Sequence, residues 1–341
     1  MSLSNYFDKV PVAMKNPRVL FCDVNTYLQG KVFDLYVVNK YTRQLVGHDQ
    51  KVLEMQKADI DELNDFLTSF QMTHAWIFAM GAGTVIDVTK YLCFKTNSAF
   101  SFIPSALSTN SFATHRNSFF DKEKKKVSFN SVVADEIIVD FDLIKQAYIL
   151  NKFGLVEIAS TATAQIDCDI AHEHNNEVFD ETLRERARHL IEGTQLVMPE
   201  DVGKNDTLEK LLYLLLESGA LTREQGNGRM VSGSEHVISS YIESEQSCPH
   251  GMGLLFGIMI ASELQNNAGY SNKHVATIIE LLKKDSDIRA YIEKNFTQTQ
   301  ILSALKRVRP RLDKFTVLDI TPTDQLLDVG SRIIRNYFNN V

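Results

Sequence analysis

Two histidines and one glutamate in the second half of the sequence have the chemistry of a metal site. Glu157, His236 and His250 offer one carboxylate oxygen and two imidazole nitrogens. Such a set is typical of catalytic zinc sites, which keep a further coordination position open for a substrate oxygen or water. A structural zinc site would use cysteines in close pairs, and the four cysteines of this chain are widely separated. Taken singly, each residue also fits a plainer role as a solvated carboxylate or a packed histidine.

The spacing of the two histidines requires a reversal of the chain between them. On one continuous helix, His236 and His250 would lie about 21 Å apart, too far to share an ion with Zn–N bonds of about 2 Å. Proline disfavours the helical conformation of the residue before it, so Ser247-Cys248-Pro249 predicts a helix break. We therefore expect His250 to begin the next helix and to face His236, with Gly251 and Gly253 allowing close approach.

A second stretch with chemical potential is the glycine turn at residues 81–83. The apolar run Ala75–Met80 predicts a buried strand, and Val85–Leu92 has helical spacing. A strand, a glycine turn and a helix can hold a dinucleotide's pyrophosphate at the helix N-terminus. Because the third glycine of the Rossmann fingerprint is missing, a plain strand-to-helix turn remains an alternative.

The first half of the chain predicts an α/β domain. Apolar runs predict strands, and spaced apolar residues predict one amphipathic helix before the glycine turn. The strands are Val19–Cys22, Lys31–Val38, Ala75–Met80, Phe100–Pro104 and Glu136–Asp140, and the helix is Val52–Phe70. Alternation of strands and helices indicates a mostly parallel sheet.

After Leu150 the sequence favours helix throughout. The helical segments are Leu155–His174, Glu181–Gly193, Asp206–Ser218, Gly233–Glu245, Gly251–Gln265, Lys273–Lys283 and Thr323–Phe338. We predict a Rossmann-like α/β domain over residues 1–150, which carries the candidate dinucleotide site, and an all-α domain over residues 151–341, which carries the candidate metal and substrate site.

The composition argues against a nucleic-acid-binding or membrane-spanning protein. A net charge of −7 argues against nucleic acid as a main partner, because binding phosphate backbones needs a basic surface. No apolar run reaches the roughly 18 residues of a membrane span, and Met1–Lys15 lacks the layout of a signal peptide. With widely spaced cysteines as well, we expect a cytoplasmic protein with reduced thiols.

These motifs together resemble the superfamily that contains glycerol-1-phosphate dehydrogenase, iron-containing alcohol and glycerol dehydrogenases, and 3-dehydroquinate synthase. The shared landmarks follow in order: Asp23–Tyr27, the glycine turn with Asp87 and Lys90, Pro104–Thr114, Gly154–Glu157, Arg229–His236 and His250-Gly251. Asp-Val-Asn-Thr-Tyr and Ser-Gly-Ser-Glu-His are most similar to the glycerol-1-phosphate dehydrogenase branch. The resemblance implies a dehydroquinate synthase-like fold, which combines the α/β and all-α domains.

The resemblance also implies a bound NAD(P) between the domains and a divalent ion, Zn²⁺ or else Fe²⁺, on Glu157, His236 and His250. The dinucleotide would contact three groups of residues: Asp23 and Asn25 near the adenosine, Gly81, Gly83, Thr84 and Asp87 at the phosphates, and Ser105, Ser108, Thr109 and Thr114 near the nicotinamide. The implied reaction is metal-assisted hydride transfer on a small polyol or polyol phosphate, and we expect a homo-oligomer.

Three positions depart from the pattern of the dehydrogenase branch. Glu157 replaces an aspartate ligand, the candidate catalytic residue Asn110 replaces a substrate-contacting aspartate, and Ser240 replaces a second histidine. Two alternatives to the dehydrogenase therefore stay open. One is a cyclase or lyase of the dehydroquinate synthase type that uses NAD transiently, although Ser160 stands where that enzyme has lysine. The other is a cofactor-binding homologue whose catalytic site has decayed.

Overall fold

The computed structural model describes residues 16–55, 59–69, 73–120, 126–245, 248–271 and 273–339. The chain forms two compact units, one ending at Asn151 and the other beginning at Lys152. We call them the α/β unit and the helical unit, and this architecture confirms the predicted fold class. In the described part of the chain, no helix has the length and apolar character needed to cross a membrane, and none of the four cysteines forms a disulfide.

The α/β unit alternates strands with helices along most of its length. Its elements are β1 (Arg18–Phe21), α1 (Val24–Leu28), β2 (Leu35–Val38), β3 (Val52–Glu54), α2 (Ile60–Ser69), β4 (Trp76–Gly81), α3 (Gly83–Thr96), β5 (Ala99–Pro104), β6 (Arg116–Phe120), β7 (Lys126–Asn130), β8 (Glu136–Val139) and α4 (Phe141–Lys145). The side chains of β2 and β8 are buried along their whole length, as expected for apolar strands in the middle of a parallel sheet.

Strand order places the glycine turn at the position where open α/β sheets bind ligands. Within the described residues, the main sheet is parallel and has the order β1-β8-β5-β4-β2-β3. The chain runs from β2 out to β3 and returns on the other side of β2 as β4. Ligands of such sheets bind beyond the carboxyl ends of the strands at this reversal. Gly81 ends β4 there, so the topology favours the same site as the sequence motif.

One predicted element of the α/β unit was wrong in part. The expected helix over Val52–Phe70 contains strand β3 at its start, and helix α2 begins only at Ile60. Tyr36 to Val38 of β2 pair with Val52 to Glu54, so a non-local ladder overrides the local periodicity. Residues 56–58 and 70 lie outside the described residues. The antiparallel pair β6–β7 was not predicted.

The helical unit contains every helical segment that the sequence predicted, together with shorter helices that it did not. Its elements are α5 (Tyr148–Asn175), α6 (Glu181–Thr194), α7 (Asn205–Gln225), α8 (Ser234–Glu245), α9 (His250–Asn267), α10 (Lys273–Lys284), α11 (Ser286–Asn295), α12 (Gln298–Leu305), α13 (Val317–Ile320) and α14 (Thr323–Asn339). The first turn of α5 belongs to the last residues of the α/β unit. The unpredicted helices are α11, α12 and α13.

Helices α8 and α9 pack closely because glycines line their contact. A Cβ atom added at Gly257 of α9 would overlap the backbone carbonyl of Glu235 in α8. One added at Gly253 would lie 3.1 Å from the hydroxyl of Ser239. Apart from its ends, α9 is buried on nearly all sides, as its uniformly apolar sequence predicts.

A buried carboxylate joins four segments of the helical unit. Asp167 of α5 accepts hydrogen bonds from the backbone N–H of Ser234 (2.6 Å), the backbone N–H of Val317 (2.9 Å) and the side-chain amide of Gln265 (3.0 Å). Burial and the nearby charge of Glu235 raise the pKa of Asp167 above its ordinary value. These contacts fix the start of α8 against α5 and α9.

The glycine contact between α8 and α9 generates a prediction. We expect Gly257→Ala to lower the free energy of unfolding by about 2 kcal/mol through overpacking, although alanine favours helix over glycine. Urea denaturation checks this. Gly228→Ala is the control, since its added Cβ would meet Ser232 at an ordinary 3.6 Å. Equal stability of Gly257→Ala and the wild type would contradict the close approach.

Candidate active site

Three side chains from three helices of the helical unit meet at one point. Glu157 projects from α5, His236 from the first turn of α8 and His250 from the first residue of α9. One ligand atom of each lies within 4.8 Å of the others. The Glu157 Oε2 atom is 3.3 Å from His250 Nε2 and 3.8 Å from His236 Nε2.

The chain reversal that the sequence predicted is present. Helix α8 ends at Glu245, and α9 begins at His250 with Pro249 at its N-cap position. Of the predicted breaking segment, Ser247 lies outside the described residues. The rings of His236 and His250 come to a centroid distance of 5.2 Å, a quarter of the separation on one continuous helix.

The carboxylate of Glu157 is buried and poorly satisfied by hydrogen bonds. Only 5% of its side chain is exposed, and Oε2 has no hydrogen-bond partner of normal geometry among the described residues. Burial acts to raise the pKa of Glu157, but the two imidazoles, acting as proton donors with positive charge, outweigh it and hold the pKa well below its ordinary value. A buried acceptor of this kind is costly unless a cation lies beside it.

The far side of each imidazole faces another carboxylate. His236 Nδ1 lies 2.8 Å from Glu235 Oε1, and His250 Nδ1 lies 2.6 Å from Glu243 Oε1. An ionised carboxylate only accepts hydrogen bonds, so each ring, when neutral, carries its proton on Nδ1 and its lone pair on Nε2. Three electron-pair donors then point at one another. The donor set therefore fits a divalent cation such as Zn²⁺ or Fe²⁺.

The glycine turn leaves the N-terminus of α3 open. A Cβ added at Gly81 would overlap Val85, so the turn needs glycine there, whereas one at Gly83 would meet only the methyl of Thr109 at 3.8 Å. Among the described residues, no side chain caps the N-terminus of α3. The backbone N–H groups of its first turn, including that of exposed Thr84, are therefore available to donate hydrogen bonds to an anion.

The segment after β5 lies beside this turn. Ser105 N–H donates to Gly81 O over 2.8 Å, and Thr109 is the N-cap of a 3₁₀ helix over Asn110–Ala113. Ser108 and Asn110 are half-buried, while the Thr114 hydroxyl is buried and donates to the carbonyl oxygens of Ser111 and Arg116. The structure thus brings Ser105 and Thr109 to the glycine turn and encloses Thr114 in the loop.

The remaining predicted residues take other positions. Asp23 is exposed and caps α1, accepting a hydrogen bond from Thr26 N–H at 2.9 Å. Hydrogen bonds from the side chain and then the backbone of Thr26 lower the pKa of Asp23. Asn25 lines a cavity of about 530 Å³ bounded by α1, β2 and residues 45–50. The carboxylate of Asp87 is 3.9 Å from Lys90 Nζ. In the helical unit, Ser240 donates its hydroxyl to Val237 O at 2.7 Å.

A buried lysine that the sequence did not single out for a role holds the segment after β5. Lys90 Nζ donates to the carbonyl oxygens of Ser111 (2.8 Å), Thr114 (3.3 Å) and Arg116 (2.6 Å). Burial lowers its pKa to about 8, and Asp87 partly opposes that shift. Because Lys90 lies on α3, it links the helix of the glycine turn to the loop that carries Thr109 and Asn110.

Sequence reasoning also missed the partners of the imidazoles, Glu235 and Glu243. Their signals were a glutamate immediately before His236 and another seven residues after it, two helical turns along the same helix. Neither spacing is distinctive, because carboxylates at such positions are common on solvated helix faces.

Comparison with known proteins agrees with the sequence motifs. Residues 22–147 match the family model described as iron-containing alcohol dehydrogenase. The glycerol-1-phosphate dehydrogenase (NAD(P)+) of Picrophilus torridus is 26% identical over 325 residues, which cover 93% of this chain and 87% of that protein. The protein of the same name from Staphylothermus marinus is 24% identical and covers 92% of this chain and 89% of its own length.

Solved structures share the fold at low sequence identity. The glycerol dehydrogenase of Schizosaccharomyces pombe has a TM-score of 0.67 and 14% identity, with 98% of this chain and 93% of that chain covered. A probable glycerol dehydrogenase from Sinorhizobium meliloti has a TM-score of 0.68 and 12% identity, with coverage of 97% and 99%. The predicted resemblance to this superfamily is confirmed.

The anchoring role of Lys90 generates a prediction. Lys90→Met should lower the free energy of unfolding of the α/β unit by about 2 kcal/mol, because three carbonyl groups lose a charged donor. Urea denaturation measures it, with exposed Lys95→Met on the same helix as the control. If both variants match the wild type, the lysine does not anchor the segment.

Proposed function

We propose that this chain, a relative of the iron-containing alcohol dehydrogenases and glycerol-1-phosphate dehydrogenases, is a metal-dependent, NAD(P)-linked dehydrogenase of a small polyol or polyol phosphate. The observation that carries the proposal is the convergence of Glu157 Oε2 with the Nε2 atoms of His236 and His250. A buried carboxylate that faces two imidazole lone pairs lowers the stability of the fold unless a cation is bound. The arrangement is therefore not expected in a homologue whose catalytic site has decayed.

The protein's own part in the reaction follows from this donor set. Glu157, His236 and His250 would hold the cation through three ligand atoms and leave a coordination position for a substrate oxygen. When bound, the cation supplies Lewis acidity and NAD(P) supplies or accepts a hydride. The low exposure of Glu157 keeps water away from its side of the site, which strengthens electrostatic interactions there. Because the three ligand side chains are held on three packed helices, they need little reorganisation during the reaction.

The nucleotide would bind the α/β unit at the reversal of strand order. The open first turn of α3 suits the pyrophosphate, with Gly81 and Gly83 allowing the backbone to approach it. The nucleotide would also contact the other residues predicted from the sequence: Asp23, Asn25, Thr84, Asp87, Ser105, Ser108, Thr109 and Thr114. Thr114 would contribute after a local rearrangement, since its hydroxyl, its N–H and its carbonyl are already engaged.

The names of similar proteins support a polyol or polyol phosphate as the substrate. The sequence relatives are named glycerol-1-phosphate dehydrogenases, and one structural neighbour is a glycerol dehydrogenase. Glycerol 1-phosphate with dihydroxyacetone phosphate is therefore the first pair to test, followed by glycerol with dihydroxyacetone. We propose Zn²⁺ as the first metal to test and Fe²⁺ as the second, because a His₂Glu set suits both. A cytoplasmic location and a homo-oligomer stay predictions.

The test of the proposal compares His250→Ala with the wild type. We expect turnover to fall by about a thousandfold, since removing a ligand removes several kcal/mol of transition-state stabilisation. Metal content should fall with it, while NAD(P) binding persists. Absorbance of the reduced nicotinamide measures turnover, and His189→Ala, which changes an exposed histidine paired with Glu185, is the control.

Two outcomes would contradict this proposal. Equal turnover in His250→Ala and wild type would remove the ion from the mechanism. Conversion of substrate without net change in nicotinamide absorbance, in the presence of bound NAD, would instead favour a cyclase or lyase that regenerates its cofactor in each turnover.

A charge placed in the glycine turn tests the nucleotide site separately. Gly83→Asp should weaken NAD(P) binding by about tenfold or more, because the carboxylate would repel the pyrophosphate. The fold should tolerate it, since there is room for a Cβ and an acidic group stabilises a helix N-terminus. Nicotinamide fluorescence titration measures binding, with the neutral Gly83→Ser as the control. Unchanged affinity of Gly83→Asp would place the pyrophosphate elsewhere.

A further inference from the structure

Two carboxylates lie behind the candidate metal ligands, each beside the outer ring nitrogen of one histidine. Glu235 Oε1 accepts from His236 Nδ1 at 2.8 Å, and Glu243 Oε1 accepts from His250 Nδ1 at 2.6 Å. Both glutamates lie on α8, eight positions apart, although the histidines belong to different helices. Helix α8 therefore orients its own imidazole and that of the next helix.

Glu235 is held in place from several directions. Its side chain is fully buried, and Oε1 also accepts from the backbone N–H of Gly233 at 2.6 Å. The other oxygen, Oε2, accepts from the hydroxyl of Thr163 at 3.0 Å. A Cβ at Gly233 would overlap the carboxylate of Asp167 and lie 2.9 Å from Glu235 Oε2, so only glycine fits between them. The orientation of Glu235, and hence of His236, is therefore fixed by two independent hydrogen bonds, one to each carboxylate oxygen.

Glu243 is held by the helix on which it lies. The Ser239 hydroxyl, one turn earlier, donates to the same Oε1 atom that accepts from His250. The Glu243 side chain is 8% exposed, and Gly253 of α9 lies against it, with an added Cβ 3.4 Å from Glu243 Cγ. Glu243 thus ties the first turn of α9 back to α8 across the break at Pro249.

We propose that Glu235 and Glu243 are positioning residues that fix the Nδ1–H tautomer and the ring orientation of His236 and His250, and so set the affinity of the site for a divalent cation. The inference rests on the proposed function in assuming that Glu157, His236 and His250 bind the ion. Ligating histidines elsewhere are oriented in this way, and loss of the outer partner weakens metal binding by about 10- to 100-fold.

Zinc affinity is the first measurement. The full-length protein is stripped with a chelator, and Zn²⁺ binding is followed by competition with a fluorescent chelator. Glu243→Gln should weaken binding by about tenfold and Glu243→Ala by more, because glutamine still accepts from Nδ1–H but without charge. Glu235→Gln should also weaken it. Glu245→Gln, which changes a carboxylate of α8 that pairs with Arg307, should leave affinity unchanged.

The second measurement is the tautomer of His250. A Glu243 that only stabilised the fold would not change which ring nitrogen of His250 carries the proton. In protein labelled with ¹⁵N-histidine and free of metal, the His250 resonances should report a proton on Nδ1 in the wild type. That preference should be lost in Glu243→Ala, since free imidazole has no carboxylate to hold the proton there. An Nε2–H tautomer in the wild type, or the same tautomer in both proteins, would overturn the inference.

A ligand variant separates failure of this inference from failure of the proposed function. If wild type binds Zn²⁺ and Glu157→Gln does not, while Glu243→Ala keeps wild-type affinity, the positioning role is refuted and the metal site stands. If Glu157→Gln binds Zn²⁺ as tightly as the wild type, the metal site itself fails and the positioning role fails with it. Thermal unfolding of each metal-free variant checks that the helical unit is folded.

Discussion

The helical unit holds three electron-pair donors, from Glu157, His236 and His250, close to one another although they repel. A carboxylate oxygen and two imidazole nitrogens within 4.8 Å of one another, with the carboxylate buried, are unfavourable unless positive charge lies among them. Packing elsewhere maintains the arrangement: Gly253 and Gly257 bring α9 against α8, and Asp167 ties the start of α8 to α5. Stability gained in those contacts offsets the cost of assembling the donors before a cation arrives.

The α/β unit meets a different requirement, which is to leave backbone N–H groups exposed at a defined place. Parallel strands end at one edge of the sheet, and the reversal of strand order opens a position beyond β2 and β4. Gly81 allows α3 to begin directly after β4, and Lys90 holds the neighbouring loop from inside that helix. The buried ammonium group fixes loop residues without placing a side chain at the exposed helix N-terminus.

Much of the fold was predictable because its signals are local. The strand and helix around the glycine turn follow from an apolar run and from glycine itself, and the reversal before His250 follows from Pro249. The strand at Val52–Glu54 was not predictable from the sequence. Its three residues share the helical spacing of the segment that follows, and they form a strand only because they pair with β2. At the site, residue types suggested Glu157, His236 and His250. The orienting glutamates and Lys90 have ordinary spacing, and only tertiary packing distinguishes them from solvated charges.

The most direct measurement of the central claim is anomalous X-ray diffraction from crystals of the zinc-loaded protein, recorded at the zinc absorption edge. We expect one strong peak bonded to a carboxylate oxygen of Glu157 and to the Nε2 atoms of His236 and His250, at about 2 Å from each. A peak bonded to Nδ1 of either ring would contradict the orientation described here. A fully loaded protein with its anomalous peak at other residues would contradict the metal site altogether.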